Sequence, residues 1–484
     1  MKNLKDILYK VVIETVIGTT DLAINALQFD SRKITKNDVF VALKGVQADG
    51  HLFIDKAIEN GATVVVCEEK PTELQKGINY IIVADSHSAL AIMASNYYNN
   101  PSTKLDLVGV TGTNGKTTVS SLLYQLFTNA DYKVGLLSTV EIKIGLAVFK
   151  ATHTTPNPLM INYYLNEMVA QGVQYCFMEV SSHGIDQKRI DGLTFKGGLF
   201  TNITHDHLDY HKTFKTYLTV KKTFFDKLPR TAFALVNADD KNGLVMLQNT
   251  KAKKMTYALK TLADFKGRIL ENSFEGMLLD VNNKEVWTRL VGEFNAYNLL
   301  LVYGAAVTLG LEELTCLRLL SELKTVNGRF DYFTAANGIT AIIDYAHTPD
   351  ALENVISTIN TIRTGNEALI AVVGCGGDRD KNKRPKMGKI AAQLATQSIF
   401  TSDNPRSEDP TTIIADMEAG VLPQDMKKVL SITDRKQAIK TAVRLADKGD
   451  IILIAGKGHE TYQIIKDKVL DFDDYKTIQE LLNN

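Results

Sequence analysis

The sequence predicts an α/β protein of three domains. Short apolar runs of strand length alternate with helix-period stretches almost from end to end, the pattern of strands joined by crossover helices. One such run, ending at Val110, passes through a Gly-rich turn directly into an amphipathic stretch. At 484 residues the chain has room for roughly three domains of about 150 residues each.

Taken in order, the first strand candidates are DVFVAL, ATVVVC and YIIVA. LDLVGV, YCFMEV, GGLFTNI and FALVNA follow, and AIIDYA, ALIAVVG, SIFTSD and IILIAG close the series. The polar, Pro-containing cluster NNPSTK at 99–104 marks a first boundary. A second falls near VNGRFD at 326–331, after the helical AYNLLLVYGAAVTLG. The expected domains are 1–103, 104–328 and 329–484, the central one a parallel sheet. No internal repeat or low-complexity tract is visible.

Composition narrows the function classes. Apolar residues make up 45% and charged residues 23% of the chain, an ordinary soluble balance. Lys plus Arg and Asp plus Glu each number 55, so no global field draws the chain to nucleic acid or a membrane surface. Cys67, Cys176, Cys316 and Cys375 are far apart and lack CxxC spacing, which fits buried reduced thiols, not a disulfide framework or a zinc site. Lys5, Asp6, Lys10 and Glu14 break up the N-terminal apolar character, so it does not read as a signal peptide. No run approaches the roughly 20 apolar residues that span a bilayer. A cytoplasmic protein without membrane insertion is expected.

The strongest single signal is LDLVGVTGTNGKTTVSSLLYQLF. A strand, a turn at Gly112, Thr113, Asn114 and Gly115, then Lys116, Thr117, Thr118 and a helix build a phosphate cradle. Glycines let backbone N–H groups approach phosphate oxygens, and the helix N-terminus favours negative charge. Lys116 is placed to reach the terminal phosphates and the Thr117 hydroxyl to bind Mg²⁺. The match to GxxxxGK[ST] is inexact, because Val110 stands where the first Gly is expected.

Cation ligands are sought after neighbouring strands. YCFMEVSSHG ends its apolar run at Glu179, and GGLFTNITHDHLDYH packs His205, Asp206, His207, Asp209 and His211 together. This density suggests a cation site. Mg²⁺ prefers oxygen, so the histidines leave Mn²⁺ as an alternative. Further on, DNPR at 403–406 follows a strand-like run. Asp, Asn and Pro form turns, yet strand ends of α/β proteins carry ligand groups, and an Arg there can fork onto a carboxylate.

GTNGKTT, EVSSHG and TNITHDHLDYH, followed in order by GEFNAYN, GRF, DYAHTPDAL, GCGGDRDKNKRP, DNPR and GKGHE, resemble the Mur ligases. These are ATP-dependent amino-acid ligases of peptidoglycan synthesis. The N-terminal FDSRKITKNDVFVALKGVQADGH matches too, so the resemblance spans nearly the whole chain. Within the family it is greatest to the ligase that adds 2,6-diaminopimelate to the D-glutamyl γ-carboxylate of UDP-N-acetylmuramoyl-L-alanyl-D-glutamate, through an acyl phosphate. The resemblance implies an N-terminal uridine-binding domain, a central ATPase domain and a C-terminal Rossmann-like domain that brings the amino acid. It implies a monomer using ATP and Mg²⁺, with UDP-MurNAc-dipeptide and diaminopimelate as small-molecule partners.

It also implies roles by position. Gly112 to Thr118 hold ATP phosphates, with Asn295 at the adenine and Arg329 and Asp344 holding ATP. Thr117, Glu179 and His207 hold metal, and Lys221, in TYLTVKKTFF, is a carbamylated lysine that joins them. Lys116, Glu179, His207 and Lys221 form the catalytic set. Phe29, Ser31, Val46, Gln47 and Ala48 meet uridine, and His153, Thr154, Thr155, Ser181, Gln187 and Arg189 meet the sugar and peptide. Arg379, Asp403, Asn404, Pro405, Arg406, Gly456 and Glu460 meet diaminopimelate. His153 and Val46 depart from the usual family residues. A lysine-adding relative, a folylpolyglutamate synthase and a P-loop protein without ligase chemistry are the alternatives; DNPR argues against the first, the uridine-type domain against the second, and Glu179, His207 and Lys221 against the third.

Overall fold

A computed structural model describes residues 1–45 and 48–483. Val46 and Gln47, two of the expected uridine contacts, lie outside the described residues.

Three principal sheets divide the chain. The first orders its strands Ile13–Ile17, Asn79–Val83, Ala62–Cys67, Asp38–Val41 and Leu27–Gln28, all parallel except the first pair. The parallel strands are apolar on both faces because Ser86–Tyr97 covers one side and Ile54–Glu59 the other, which is why their sequences are continuous Val/Ile runs.

The second sheet has 11 strands. Seven of them, from Val134–Leu137 to Phe265–Ser273, run parallel. This is the expected parallel central sheet, and antiparallel strands extend it at both edges. Glu141–Ile144 and Ala147–Lys150 add an antiparallel hairpin at one edge, and Gly276–Val281 and Lys284–Thr288 add two antiparallel strands at the other. Burial along these edges is uneven: Lys284–Thr288 and Glu141–Ile144 alternate more and less buried residues, while Ala147–Lys150 is exposed throughout.

The third sheet orders Asp331–Thr334, Thr340–Asp344, Ile451–Ala455, Leu369–Cys375, Gln397–Ser402 and Val429–Ser431. All are parallel after the first pair. The second and third sheets therefore each present a row of carboxyl strand ends, where α/β folds bind ligands. All four cysteines are free and buried. No helix among the described residues is long and apolar enough to cross a membrane.

Candidate active site

The central sheet's register assembles the nucleotide wall. Glu179 pairs with Val110 and Phe200 with Thr111, so Glu179, the loop after Thr111 and the loop after Phe200 leave adjacent strand ends together. Gly112 has φ +153°, and a Cβ there would come within 1.9 Å of the Thr201 hydroxyl; no larger residue fits. Neighbouring loops clamp the turn. Asn202 accepts from the Thr113 and Asn114 amides at 2.8 and 3.0 Å, and the Thr201 hydroxyl donates to the Asn114 carbonyl at 2.6 Å. The helix Lys116–Asn129 follows at once.

Lys116 Nζ lies across the turn, donating to the carbonyls of Thr113 at 2.7 Å and Gly112 at 3.0 Å. Burial and Arg329 push its pKa down, against the pull of Glu179 and Asp206. Lys221 Nζ donates to the same Gly112 carbonyl at 2.8 Å. It is 1% exposed, on the buried stripe of Phe214–Asp226 with Tyr217, Phe224 and Phe225. Burial, then the charge of Lys116, hold its pKa well below the ordinary lysine value. This amine is neutral far more often than a surface lysine's.

Glu179 is fully buried, one oxygen accepting from the Thr139 amide at 2.7 Å and the other from its hydroxyl at 3.1 Å. Thr117 is buried and its hydroxyl accepts from Arg329 at 3.3 Å. His207 sits in the left-handed region at φ 54°, its ring 4.9 Å from that of His183. Burial pushes its pKa down to about 4, so it presents a neutral imidazole.

The expected histidine-rich cation cluster does not form as such. Among the described residues no three or more His, Cys, Asp and Glu side chains are grouped to hold a metal. His205 instead stacks on Phe214, and His211 is buried beside His183 and Tyr217. Asp209 is exposed. The candidate donors that remain are the Thr117 hydroxyl, the Glu179 carboxylate and neutral His207. By donor type the two oxygen groups suit Mg²⁺, which binds through one or two carboxylates and keeps its other positions for water and phosphate.

A cleft of about 1590 Å³ runs from this wall to the third sheet. Lys116, His207, Lys221, His153, Thr154, Thr155, Ser181 and Arg189 line one side. Arg189 is fixed by Gln187 at 2.6 Å and by the Thr155 carbonyl at 2.6 Å. Asp350, which the sequence did not single out, ties the walls together: it accepts from Asn114 at 2.8 Å and Thr204 at 3.1 Å.

Arg379, Asp403, Asn404, Arg406, Gly456 and Glu460 line the opposite side. Asp403 and Asn404 are buried, while Arg406 is half-buried with φ 53°. Its guanidinium is held by backbone carbonyls, Gly377 at 2.8 Å and Asn404 at 3.4 Å. Among the described residues neither Arg406 nor Arg379 pairs with a carboxylate. Glu460 accepts from Asn404 at 2.8 Å, and burial next to Asp403 raises its pKa. Gly456 has φ +119°, and a Cβ would come within 3.0 Å of Asp403.

Behind this wall Arg384, fully buried, bonds Glu408 at 2.8 and 3.0 Å and Asp416 at 2.9 Å. Glu408 in turn accepts from the Asp378 amide at 2.6 Å. Arg384 is buried but both carboxylates are partly exposed, so removing it costs the charged hydrogen bonds less their solvent screening, about 2 kcal/mol. Arg384→Ala should therefore lower unfolding stability by that order in a denaturant titration, and should raise the amino-acid KM with the ATP KM unchanged. A wild-type midpoint would show that the pair contributes nothing.

Other expected site residues have partners within the protein. Asn295 is buried, its amide donating to the Val291 carbonyl at 2.9 Å and its oxygen accepting from Asn298 at 3.2 Å, so its side chain stabilises the helix start. Asp344 accepts from the amides of Phe330 and Ala346, both at 2.7 Å, and so shapes the loop carrying Arg329. Arg329 stacks 4.3 Å over Tyr345. Pro405 is buried and does not line the cleft. Phe29, Ser31 and Ala48 lie in the first domain, on loops that leave the adjacent parallel strands Leu27–Gln28 and Asp38–Val41; a ligand could bridge those loops.

A phosphate-binding turn facing a second α/β domain, with paired acids and unpaired arginines across the cleft, defines the class: a nucleotide-dependent ligase. Family models agree. Residues 23–98 match the Mur ligase family, catalytic domain; 110–306 match the Mur ligase middle domain; and 328–458 match the Mur ligase, glutamate ligase domain. The chain belongs to the Mur ligase family, the ATP-dependent amide ligases. It is 55% identical over 480 residues to the UDP-N-acetylmuramoyl-L-alanyl-D-glutamate–2,6-diaminopimelate ligase of Parabacteroides distasonis, covering 99% of each chain. It is 55% identical over 481 residues to the Cytophaga hutchinsonii ligase of that name, again covering 99% of each. A solved structure of a ligase so named superposes with a TM-score of 0.68 at 31% identity, covering 95% of each chain.

Proposed function

We propose that the chain uses ATP to join meso-2,6-diaminopimelate to the D-glutamyl γ-carboxylate of UDP-N-acetylmuramoyl-L-alanyl-D-glutamate, a step of peptidoglycan precursor synthesis. The observation that carries this is the shared cleft. Lys116 and Lys221 occupy one wall and Arg406, Asp403 and Glu460 the other. Diaminopimelate has a carboxylate and an amine at each end, and these groups match that second wall. Lysine would leave Arg406 without an anion.

A carboxylate is a poor acyl donor at neutral pH. Phosphoryl transfer to it gives a leaving group, but brings two anions together, and preorganised positive charge offsets the repulsion. Lys116 supplies such charge at the phosphate turn. Thr117, Glu179 and His207 would hold Mg²⁺, or alternatively Mn²⁺, which would supply Lewis-acid stabilisation of the phosphoryl oxygens. Arg189, Ser181 and Thr155 hold the peptide end of the nucleotide sugar, and Phe29, Ser31 and Ala48 its uridine. Closure of the two walls on the substrates would exclude water that hydrolyses an acyl phosphate. The protein acts as a cytoplasmic monomer.

The test is ADP release with the nucleotide dipeptide and a panel of diaminopimelate, lysine and ornithine. Release should need both the dipeptide and diaminopimelate. ATP hydrolysis with neither, or preference for lysine, would overturn the reading.

Lys221 is carbamylated in this reading. The neutral amine attacks CO₂, a C–N bond forms, and a proton is released to solvent. The depressed pKa supports this, since only the unprotonated amine is nucleophilic. With ¹³C-bicarbonate, a carbamate resonance should appear and be missing in Lys221→Arg. The same spectrum from both proteins would show that the site is a bare amine.

A further inference from the structure

Lys457 lies in the GKGHE segment with no exposed side chain, and it stands behind the cleft wall rather than on it. Its ammonium donates to Asn404 Oδ1 at 3.1 Å, and it lies 3.4 Å from Glu460 and 3.5 Å from Asp403. Asn404 is the hub: it donates to Glu460 at 2.8 Å and accepts from the Ile464 amide at 2.9 Å. Lys457 is thus the cation in direct contact with both carboxylates, while Arg435, also buried, acts on them from farther off and is paired with Asp474; the balance leaves net negative charge for an incoming ammonium. Arg406, on the same wall, remains free for a carboxylate.

We infer that Lys457 is a specificity-determining positioning residue, which makes this end of the cleft accept an amino acid's carboxylate together with its amine and disfavour a bare ammonium. The inference rests on diaminopimelate being the substrate. The reasoning is electrostatic. Without Lys457, the excess negative charge of Asp403 and Glu460 would face the ligand, offset only by Arg435, which is already paired with Asp474. That excess would repel the distal carboxylate of diaminopimelate and attract the lone ε-ammonium of lysine. At such spacing and partial burial, one unbalanced charge shifts an equilibrium by about tenfold or more. Burial of two like charges also raises the pKa of one of them, and Glu460 is already raised; Lys457 keeps Asp403 lowered against its burial.

The test compares kcat/KM for diaminopimelate and for lysine in the intact enzyme, using Lys457→Met, Lys457→Gln and Lys457→Arg. Gln keeps a hydrogen-bond donor without charge, so it serves if Met does not fold; an unchanged ATP KM reports correct folding. Both neutral variants should lower the diaminopimelate-to-lysine ratio by about tenfold or more, and Arg should restore it. A ratio that stays at the wild-type value while both substrates lose efficiency equally would make Lys457 merely structural and overturn the inference. A ratio that Arg also fails to restore would overturn it too, because charge would not be the cause. Should the wild-type enzyme use neither amino acid, the substrate assignment itself falls, which is distinguishable from a wild type that prefers diaminopimelate through an unaltered ratio in the variants.

Discussion

Lys116→Ala is expected to abolish ligation, lowering kcat by on the order of 10³-fold, the loss seen when a preorganised donor to developing charge is removed. The amine is half-buried at the head of the phosphate turn, within the fields of Glu179, Asp206 and Arg329. Each of its two hydrogen bonds runs to a loop carbonyl, so its loss uncovers acceptors that water can reach. The turn itself is held by Asn202 and Thr201, not by Lys116. Stability should therefore be nearly unchanged, and the two effects separate cleanly. Coupled ADP release would give the rate and thermal unfolding the fold. Lys116→Arg keeps the charge on a different reach and should recover only part of the rate. Turnover of the alanine variant within tenfold of wild type would remove Lys116 from the phosphate site.

The parts of the fold that could be read in the sequence are those whose cause is local. ATVVVC, YCFMEV and ALIAVVG are strands apolar on both faces because helices cover both faces, and continuous Val/Ile runs record that. The antiparallel strands Glu141–Ile144, Ala147–Lys150, Gly276–Val281 and Lys284–Thr288 escaped, because a sheet edge mixes Lys, Glu and Asp with its apolar residues. The phosphate turn was legible for the same local reason: strand, glycines, Lys and helix are contiguous.

Residues whose role arises from convergence were not legible. Lys457 sits between glycines, where its sequence suggests a turn; its burial comes from Asp403, which lies 54 residues away in the chain. Asp350 reads as the first turn of a helix, and only the docking of two domains brings it to Asn114, 236 residues away. Lys221 was within reach of a pattern argument. Tyr217, Lys221, Phe224 and Phe225 fall at i, i+4, i+7 and i+8 on one helix face, the apolar stripe of an amphipathic helix. A lysine at the centre of such a stripe is buried, and Lys222, off the stripe, reaches Asp226 at 2.7 Å instead. Asn295 shows the opposite limit: its side chain bonds the Val291 carbonyl and Asn298, partners that its sequence does not announce.

Arg406→Ala should raise the KM for diaminopimelate by roughly thirtyfold or more, with the ATP KM within about twofold. The first figure corresponds to about 2 kcal/mol, the low end of the cost of truncating one partner of a buried charge pair. Arg406 is aimed by its backbone. The residue takes φ 53°, its amide donates to the Ile464 carbonyl at 3.1 Å and its own carbonyl accepts from Lys466 at 2.7 Å. The turn of DNPR is thus pinned to the strand Tyr462–Ile465, and the guanidinium is directed past Gly377 into the cleft. Those backbone bonds survive truncation to alanine, so the wall should keep its shape and lose only a cation. The loss should therefore be confined to substrates with a distal carboxylate: diaminopimelate efficiency falls and lysine efficiency does not. Lys116, Thr117 and Glu179 lie across the cleft and keep their partners, which is why ATP binding should be spared. Equal rises in the KM for ATP and for diaminopimelate would show that Arg406 supports the fold of the cleft instead of recognising the carboxylate.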